Sequence, residues 1–283
     1  MTAATRKIIA FGGSQGAYSD LACRAVFPDD VTLPCLGFEE AFAAVRESRA
    51  DRAMIPVENA IAGRVADVHH LLPQAGLHIV GEHYQPVTHH LLALPGVRLE
   101  DIKTVKSHVQ ALTQCHIFIR KHKLTPVAYN DTAGAAAEIK ATQNRALGAI
   151  ASELAGKIYG LDSLATDIAD QKGNTTRFLI LARDPEAVTA AQRCMTSLIF
   201  RVRSVPAALY KALGGFATNG VNITKLESYL VDGNFTAAQF YVDLEGHPDS
   251  TAMQNALEEL AFFADEVKIL GTYPAHPFRD HTT

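Results

Sequence analysis

From Lys7 onward the chain alternates short apolar runs with segments of helical periodicity, and that alternation constrains the fold more than any other feature. Strands are expected over 8–11, 31–36 and 52–57, and helices over 18–27, 38–48 and 64–72. Strand, helix and strand in repetition bury their apolar faces by forming an open, mostly parallel sheet with helices packed on it. Ligands of such sheets bind beyond the carboxyl ends of the strands. A second series continues the pattern, with strands over 77–81, 87–94, 102–105, 124–129 and 146–151. Its helices are expected over 107–121, capped by Ser107, over 132–141, capped by Asp131, and over 152–159. Ser and Asp are short acceptors suited to the first free N–H groups of a helix. Two α/β lobes with the chain crossing between them predict a cleft lined by the loops that follow strands.

The last part of the chain reads differently. A polar, Ala-rich linker over 184–193 precedes a strand over 196–202, a helix over 206–216, strands over 222–231 and 236–244, a helix over 250–263 and a strand over 266–272. Asp232-Gly233 is the hairpin signal between the middle strands. That order, β-α-β-β-α-β, predicts a ferredoxin-like module.

With 283 residues, 48% of them hydrophobic and 20% charged, the chain can fill about two domain cores. A net charge of −4 gives no reason to expect nucleic acid or an anionic membrane as partner. Cys23, Cys35, Cys115 and Cys194 are widely spaced, which argues against disulfides and a zinc site and for reduced thiols in a cytoplasm. The histidines, among them His89, His90 and His108, show no metal-ligand spacing and are expected to be solvated or structural, so no metal or cofactor is expected. No apolar run is long enough to cross a membrane.

Polar groups concentrate at strand exits. G-G-S-Q-G-A-Y-S, starting at Gly12, lets backbone approach an anion but does not match the dinucleotide fingerprint. Glu58 and Asn59 close the third strand as either a helix-capping pair or site residues. Gln110 and Gln114 share one helix face. Gly173-Asn174-Thr175-Thr176-Arg177 sets a turn, a hydroxyl and a cation before the apolar run Phe178-Leu179-Ile180-Leu181-Ala182; alone, it reads equally as turn material.

Taken in order, these motifs resemble the prephenate dehydratases that carry a C-terminal ACT domain. The glycine loop ends in the family's G-A-Y-S; Pro56-Val57-Glu58-Asn59 is similar to P-x-E-N; Ser107-His108-Val109-Gln110-Ala111-Leu112-Thr113-Gln114-Cys115 is similar to S-H-P-Q-A-L-x-Q-C; Asn174 to Phe178 is similar to N-x-T-R-F; and Asn222-Ile223-Thr224-Lys225-Leu226-Glu227-Ser228 is similar to N-L-T-K-I-E-S. The resemblance implies a periplasmic-binding-protein-like, two-lobed catalytic domain over 1–185 with crossovers near 82 and 168, a linker over 186–194 and an ACT domain over 195–283.

The implied reaction removes carbon dioxide and water from prephenate to leave phenylpyruvate, in L-phenylalanine biosynthesis in the cytoplasm. Thr176 is the implied hydrogen-bond donor to the departing hydroxyl, with Glu58 behind it as a proton carrier. Asn59, Ser107, Gln114, Arg177 and the N–H groups around Gly12 to Gly16 are the implied partners of the substrate carboxylates. Arg177 either forks onto a carboxylate or locks the lobes together. Phe178 is either an apolar wall beside the leaving carboxylate or an inward strand residue. L-phenylalanine is the implied effector, at Ala208, Leu209, Asn222, Glu227 and Ser228 of a homodimer or homotetramer. Two departures fall there: Ala207 stands in the family's P-G-A-L, and Tyr229-Leu230 in its E-S-R-P. The competing readings are an arogenate dehydratase, acting on the amino analogue, and a non-catalytic amino-acid sensor.

Overall fold

A computed structural model describes residues 6–203, 205–231 and 234–281. The chain runs through β1 (Ile8–Gly12), α1 (Tyr18–Val26), β2 (Val31–Cys35), α2 (Phe38–Arg46), β3 (Arg52–Asn59), β4 (Gly63–Arg64), α3 (Ala66–Leu71) and β5 (His78–Pro86). It continues with β6 (His90–Ala93), β7 (Thr104–Ser107), α4 (Val109–Gln114), α5 (His116–Lys121), β8 (Thr125–Ala128), α6 (Thr132–Thr142), β9 (Leu147–Ala151), α7 (Glu153–Tyr159), β10 (Asp162–Ala165) and β11 (Thr175–Ala182). The remainder is β12 (Cys194–Val202), α8 (Ala208–Thr218), β13 (Ile223–Val231), β14 (Asn234–Glu245), α9 (Thr251–Phe263) and β15 (Ala264–Pro274). Contacts divide it into two compact units: the chain up to Val68 with His83–Phe178, and His69–Glu82 with the described chain from Leu179 on.

The expected alternation produces two α/β sheets. One has the order β2-β1-β3-β11-β5, with β1 parallel to both β2 and β3. The other has the order β10-β6-β9-β7-β8 and is mixed: β7 is parallel to β8 and β9, whereas β6 is antiparallel to β9 and β10. β9, Leu-Gly-Ala-Ile-Ala, is buried at every position, as a strand covered on both faces requires. Helix starts follow local chemistry. Asp131 Oδ1 accepts from Gly134 N–H at 2.7 Å and Ser152 Oγ from Ala155 N–H at 3.0 Å.

Three expectations are corrected. Ser107 does not cap the helix after β7; it lies in the strand, and its fully buried hydroxyl donates to the Ile150 carbonyl at 2.5 Å. His108 caps α4 instead, its Nδ1 accepting from Gln110 N–H at 3.3 Å. The single helix to Lys121 is two, broken at Cys115. Asp170 occupies the break: its N–H donates to the Gln114 carbonyl at 2.7 Å and its Oδ1 accepts from Ile117 N–H at 3.1 Å. Strand β11 begins at Thr175 rather than Phe178, so Thr176 is a strand residue and not turn material. β10 had no expectation attached to it.

The β-α-β-β-α-β order folds as a four-stranded antiparallel sheet, β13-β14-β12-β15, with the ferredoxin-like arrangement. Leu198, Phe200, Val242 and Leu244 pack with Ala212 and Phe216 of α8 and Met253, Ala256 and Leu260 of α9. The hairpin signal Asp232-Gly233 lies outside the described residues. In the same unit β15 approaches β5 so closely that a Cβ at Gly271 would lie 2.0 Å from the Ile79 carbonyl oxygen. Backbone on both sides leaves nothing flexible to yield. Gly271→Ala is therefore expected to destabilise by about 1–3 kcal/mol, read as a lower urea midpoint at constant slope.

Candidate active site

A cavity of about 480 Å³ opens in the first unit at the carboxyl ends of β1, β3, β5, β7 and β8. Thr176, Asn59, Gln114 and His89 supply its polar floor; Phe178 and Val87 supply apolar wall. Thr176 and Phe178, two apart on β11, share one strand face, and both are nearly buried.

Asn59, at the end of β3, is held by the turn it begins. Its Oδ1 accepts from the N–H groups of Ile61 at 3.1 Å and Ala62 at 2.8 Å. Its Nδ2 therefore points the other way and donates to Thr176 Oγ1 at 2.9 Å and to Asn174 Oδ1 at 2.7 Å. A hydroxyl oxygen that accepts from an amide keeps its own proton to give. Asn174 Nδ2 donates to Gln114 Oε1 at 3.0 Å, and Gln114 Nε2 to Asn59 Oδ1 at 3.3 Å. His89 Nε2 lies 2.9 Å from Gln114 Oε1, and its Nδ1 lies 2.8 Å from the Tyr18 hydroxyl.

The site residues expected from sequence divide accordingly. Thr176, Asn59, Gln114 and Phe178 converge on the cavity. Ser107 does not, its hydroxyl being committed to Ile150. Neither Glu58 nor Arg177 lines the cavity; Arg177 stands on β11 between the lining residues Thr176 and Phe178, so its side chain leaves the opposite face. Two of the glycine-loop amides are committed: Gly13 N–H donates to the Cys35 carbonyl at 2.9 Å, and Gly16 N–H to the buried Asp20 Oδ2 at 2.8 Å. The loop's glycine serves close packing. At Gly16, with φ of 87°, a Cβ would lie 2.7 Å from Ala155 Cα of α7. Tyr18, His89 and Asn174 were not among the expected site residues; for Asn174 the signal was its place in the N-T-T-R-F motif.

No lysine or arginine lines the cavity among the described residues, whereas Asp67 and Asp131 do. No cluster of three or more His, Cys, Asp or Glu suited to a metal occurs among the described residues, and none of the described helices is long and apolar enough to cross a membrane. Burial lowers the pKa of His89, against the Gln114 hydrogen bond that raises it, and lowers that of His108 against Asp131. It also pushes the Cys115 thiol up to about 12. A histidine kept neutral in the fold binds fewer protons than its unfolded counterpart just below pH ~6.5. Its contribution to stability is thus present above that pH and is lost as pH falls toward the folded pKa. His83 and His90 shift the same way, also chiefly by burial. The melting temperature is expected to fall between pH 7.5 and 5.5, and the fall should shrink in His89→Gln; a flat profile in the unmodified chain would contradict this.

A polar cavity at the carboxyl ends of α/β strands is the arrangement of a small-molecule enzyme. A family model described as prephenate dehydratase matches residues 9–186. The bifunctional N-acyl-homoserine lactone acylase/prephenate dehydratase of Komagataeibacter europaeus is 49% identical over 96% of this chain and 98% of its own. The chloroplastic arogenate dehydratase/prephenate dehydratase 1 of Arabidopsis thaliana is 41% identical over 94% of this chain and 71% of its own. The solved prephenate dehydratase of Arthrobacter aurescens in complex with L-Phe matches with a TM-score of 0.86 at 29% identity, over 95% of this chain and 90% of its own. The chain belongs to the prephenate dehydratase family, and its class of chemistry is that of a carbon–oxygen hydro-lyase.

Proposed function

We propose that the chain converts prephenate to phenylpyruvate, with Thr176 as hydrogen-bond donor to the departing ring hydroxyl. The ring–carboxylate bond breaks and releases carbon dioxide, its electron pair enters the ring, the ring–oxygen bond breaks, and the departing hydroxide, hydrogen-bonded by Thr176, takes up one proton from solvent to leave as water. Negative charge grows on the leaving oxygen along this path, so a fixed donor binds the transition state more strongly than the substrate. The observation that carries the reading is the Asn59–Thr176 bond, which turns the threonine's own proton away from Asn59. Gln114, whose Nε2 keeps a second hydrogen, holds the polar part of the substrate, Asn59 orients Thr176, and Phe178 gives the apolar wall.

Arogenate is the second substrate to test. A cavity lined by Asp67 and Asp131 without a lysine or arginine suits a substrate whose ammonium offsets a carboxylate. Purified chain given prephenate or arogenate in parallel, with phenylpyruvate and phenylalanine as readouts, decides between them. N-acyl-homoserine lactone hydrolysis, the other activity named for the Komagataeibacter relative, belongs in the same assay. No turnover of prephenate or arogenate would overturn the reading in favour of a non-catalytic sensor.

The proposal extends to a catalytic domain over 1–185, a linker over 186–194 and an ACT domain over 195–283 that binds L-phenylalanine in a homodimer or homotetramer of a cytoplasmic enzyme. The Arthrobacter protein's complex with L-Phe supports the effector. Of the residues involved, Ala208 is buried and Leu209 packs on the same helix-facing core. Asn222 donates to Glu245 at 3.0 Å, and Glu227 pairs with Lys225 at 3.2 Å. Glu227 and Ser228 are consecutive on β13, so their side chains leave opposite faces. Added L-phenylalanine that changes neither turnover nor calorimetric heat would remove this part.

Ala207 holds φ of 61°, the left-handed region in which glycine is unhindered, at the position where the family carries glycine. Ala207→Gly is expected to stabilise by about 0.5–1 kcal/mol, the relieved strain being partly offset by the unfolded-chain entropy of glycine. A lower melting temperature in that variant would count against the assignment of strain.

A further inference from the structure

The amides behind Thr176 have a direction, and following it outward places a proton. Backbone N–H groups can only donate, so the two that face Asn59 at 3.1 and 2.8 Å identify its Oδ1. Nδ2 is then the end facing Asn174 at 2.7 Å, which makes the atom it meets Oδ1. Asn174 Nδ2 in turn faces Gln114 Oε1 at 3.0 Å. Gln114 Oε1 has no proton, and it lies 2.9 Å from His89 Nε2. Two lone pairs at that distance repel, so Nε2 carries the hydrogen.

We propose that His89 is a positioning residue of the reaction: as the Nε2–H tautomer, with a bare Nδ1 facing the Tyr18 hydroxyl, it donates to Gln114 and holds the amide chain in the one orientation that leaves the Thr176 proton free.

The Tyr18 hydroxyl lies 2.8 Å from both the Thr88 carbonyl oxygen and His89 Nδ1. It has one proton. While the imidazole is neutral with its hydrogen on Nε2, that proton lies between two acceptors, the Thr88 carbonyl, to which the hydroxyl donates, and the bare Nδ1. The neutral state is the one burial favours: His89 is 2% exposed, its pKa is lowered by desolvation, and Tyr18 is raised well above its usual value by the same cause. Without the His89 donor, Gln114 loses the contact that distinguishes its oxygen from its nitrogen on that side. An amide turned end for end would present Nε2 to Asn174 Nδ2, donor against donor, and the mismatch would pass to Asn59 and Thr176. The chain is fixed at one end by backbone and at the other by an imidazole, which is why a single threonine hydroxyl can be held to one direction.

The kinetic consequence rests on the dehydratase reading; the tautomer does not. The full chain labelled with 15N-histidine is therefore examined first, with the His89 signals assigned by their absence in His89→Gln. A protonated Nε2 and a bare Nδ1 at pH 7.5 are expected; a protonated Nδ1, alone or together with Nε2, would overturn the proposal. In turnover, His89→Phe is expected to lower kcat about ten- to a hundredfold with KM little changed, because the reacting groups are misaligned rather than lost. His89→Gln, whose amide can donate to Gln114, should restore part of that loss. Equal losses in both variants, or a loss carried by KM, would refute the positioning role. If the unmodified chain turns over neither substrate, the dehydratase reading fails, while the 15N spectrum still decides the orientation of the chain.

Discussion

Thr176→Ala is expected to lower kcat by about 10²–10³ and to leave KM nearly unchanged. The hydroxyl is nearly buried, accepts from Asn59 Nδ2 at 2.9 Å and lines the cavity, so its remaining polar function is to donate. A donor aimed at the leaving oxygen matters little to the neutral ground-state hydroxyl and much to the developing hydroxide, which places the loss in kcat. Thr176→Ser keeps the hydroxyl and is expected to retain most of the turnover; Thr176→Val keeps the shape and should behave like alanine. Near-normal turnover of the valine variant would refute the role, because it separates the hydroxyl from the volume it fills.

Arg279→Met is expected to destabilise the second unit by about 3–5 kcal/mol. Arg279 forks onto Glu82 in the middle of β5, with Nε to Oε1 at 2.6 Å and Nη2 to Oε2 at 2.9 Å, and His276 N–H donates to the same Oε1 at 3.1 Å. The carboxylate is fully buried and the guanidinium side chain 11% exposed, so removing the cation strands a charge away from water. Replacing both partners by methionine should cost less than replacing Arg279 alone, since no charge is then left buried. Urea unfolding of both single variants and the double variant gives the coupling. A loss below about 1 kcal/mol in Arg279→Met would mean that Glu82 is protonated or hydrated once the arginine is gone.

The site was partly legible in the chain because motifs at strand exits imply proximity without showing it. Thr176, Asn59 and Gln114 lie far apart in sequence, and their order along a known pattern placed them together before any geometry did. Ser107, Glu58 and Arg177, named by the same pattern, do not line the cavity. A motif names residues that travel together but not the face each side chain takes, and that face depends on where a strand begins. Once β11 starts at Thr175, alternation sends Thr176 and Phe178 into the cavity and Arg177 out of it. His89 carried no such signal. In sequence it is one histidine of several; its part in the site depends on Tyr18 and Gln114, which tertiary structure alone brings to its two ring nitrogens.

What the sequence by itself determined is the set of local decisions: where most strands and helices lie, the cap at Asp131, and the β-α-β-β-α-β order of the last module. Those depend on neighbours within a few residues, where periodicity and short polar side chains act directly. Only the tertiary structure decided the mixed sense of the second sheet, the break at Cys115 that Asp170 fills, and the direction of the hydrogen bonds around Thr176. The physical reason is the same in each case. The deciding partner is distant along the chain, and a hydrogen bond takes its direction from what lies at both of its ends.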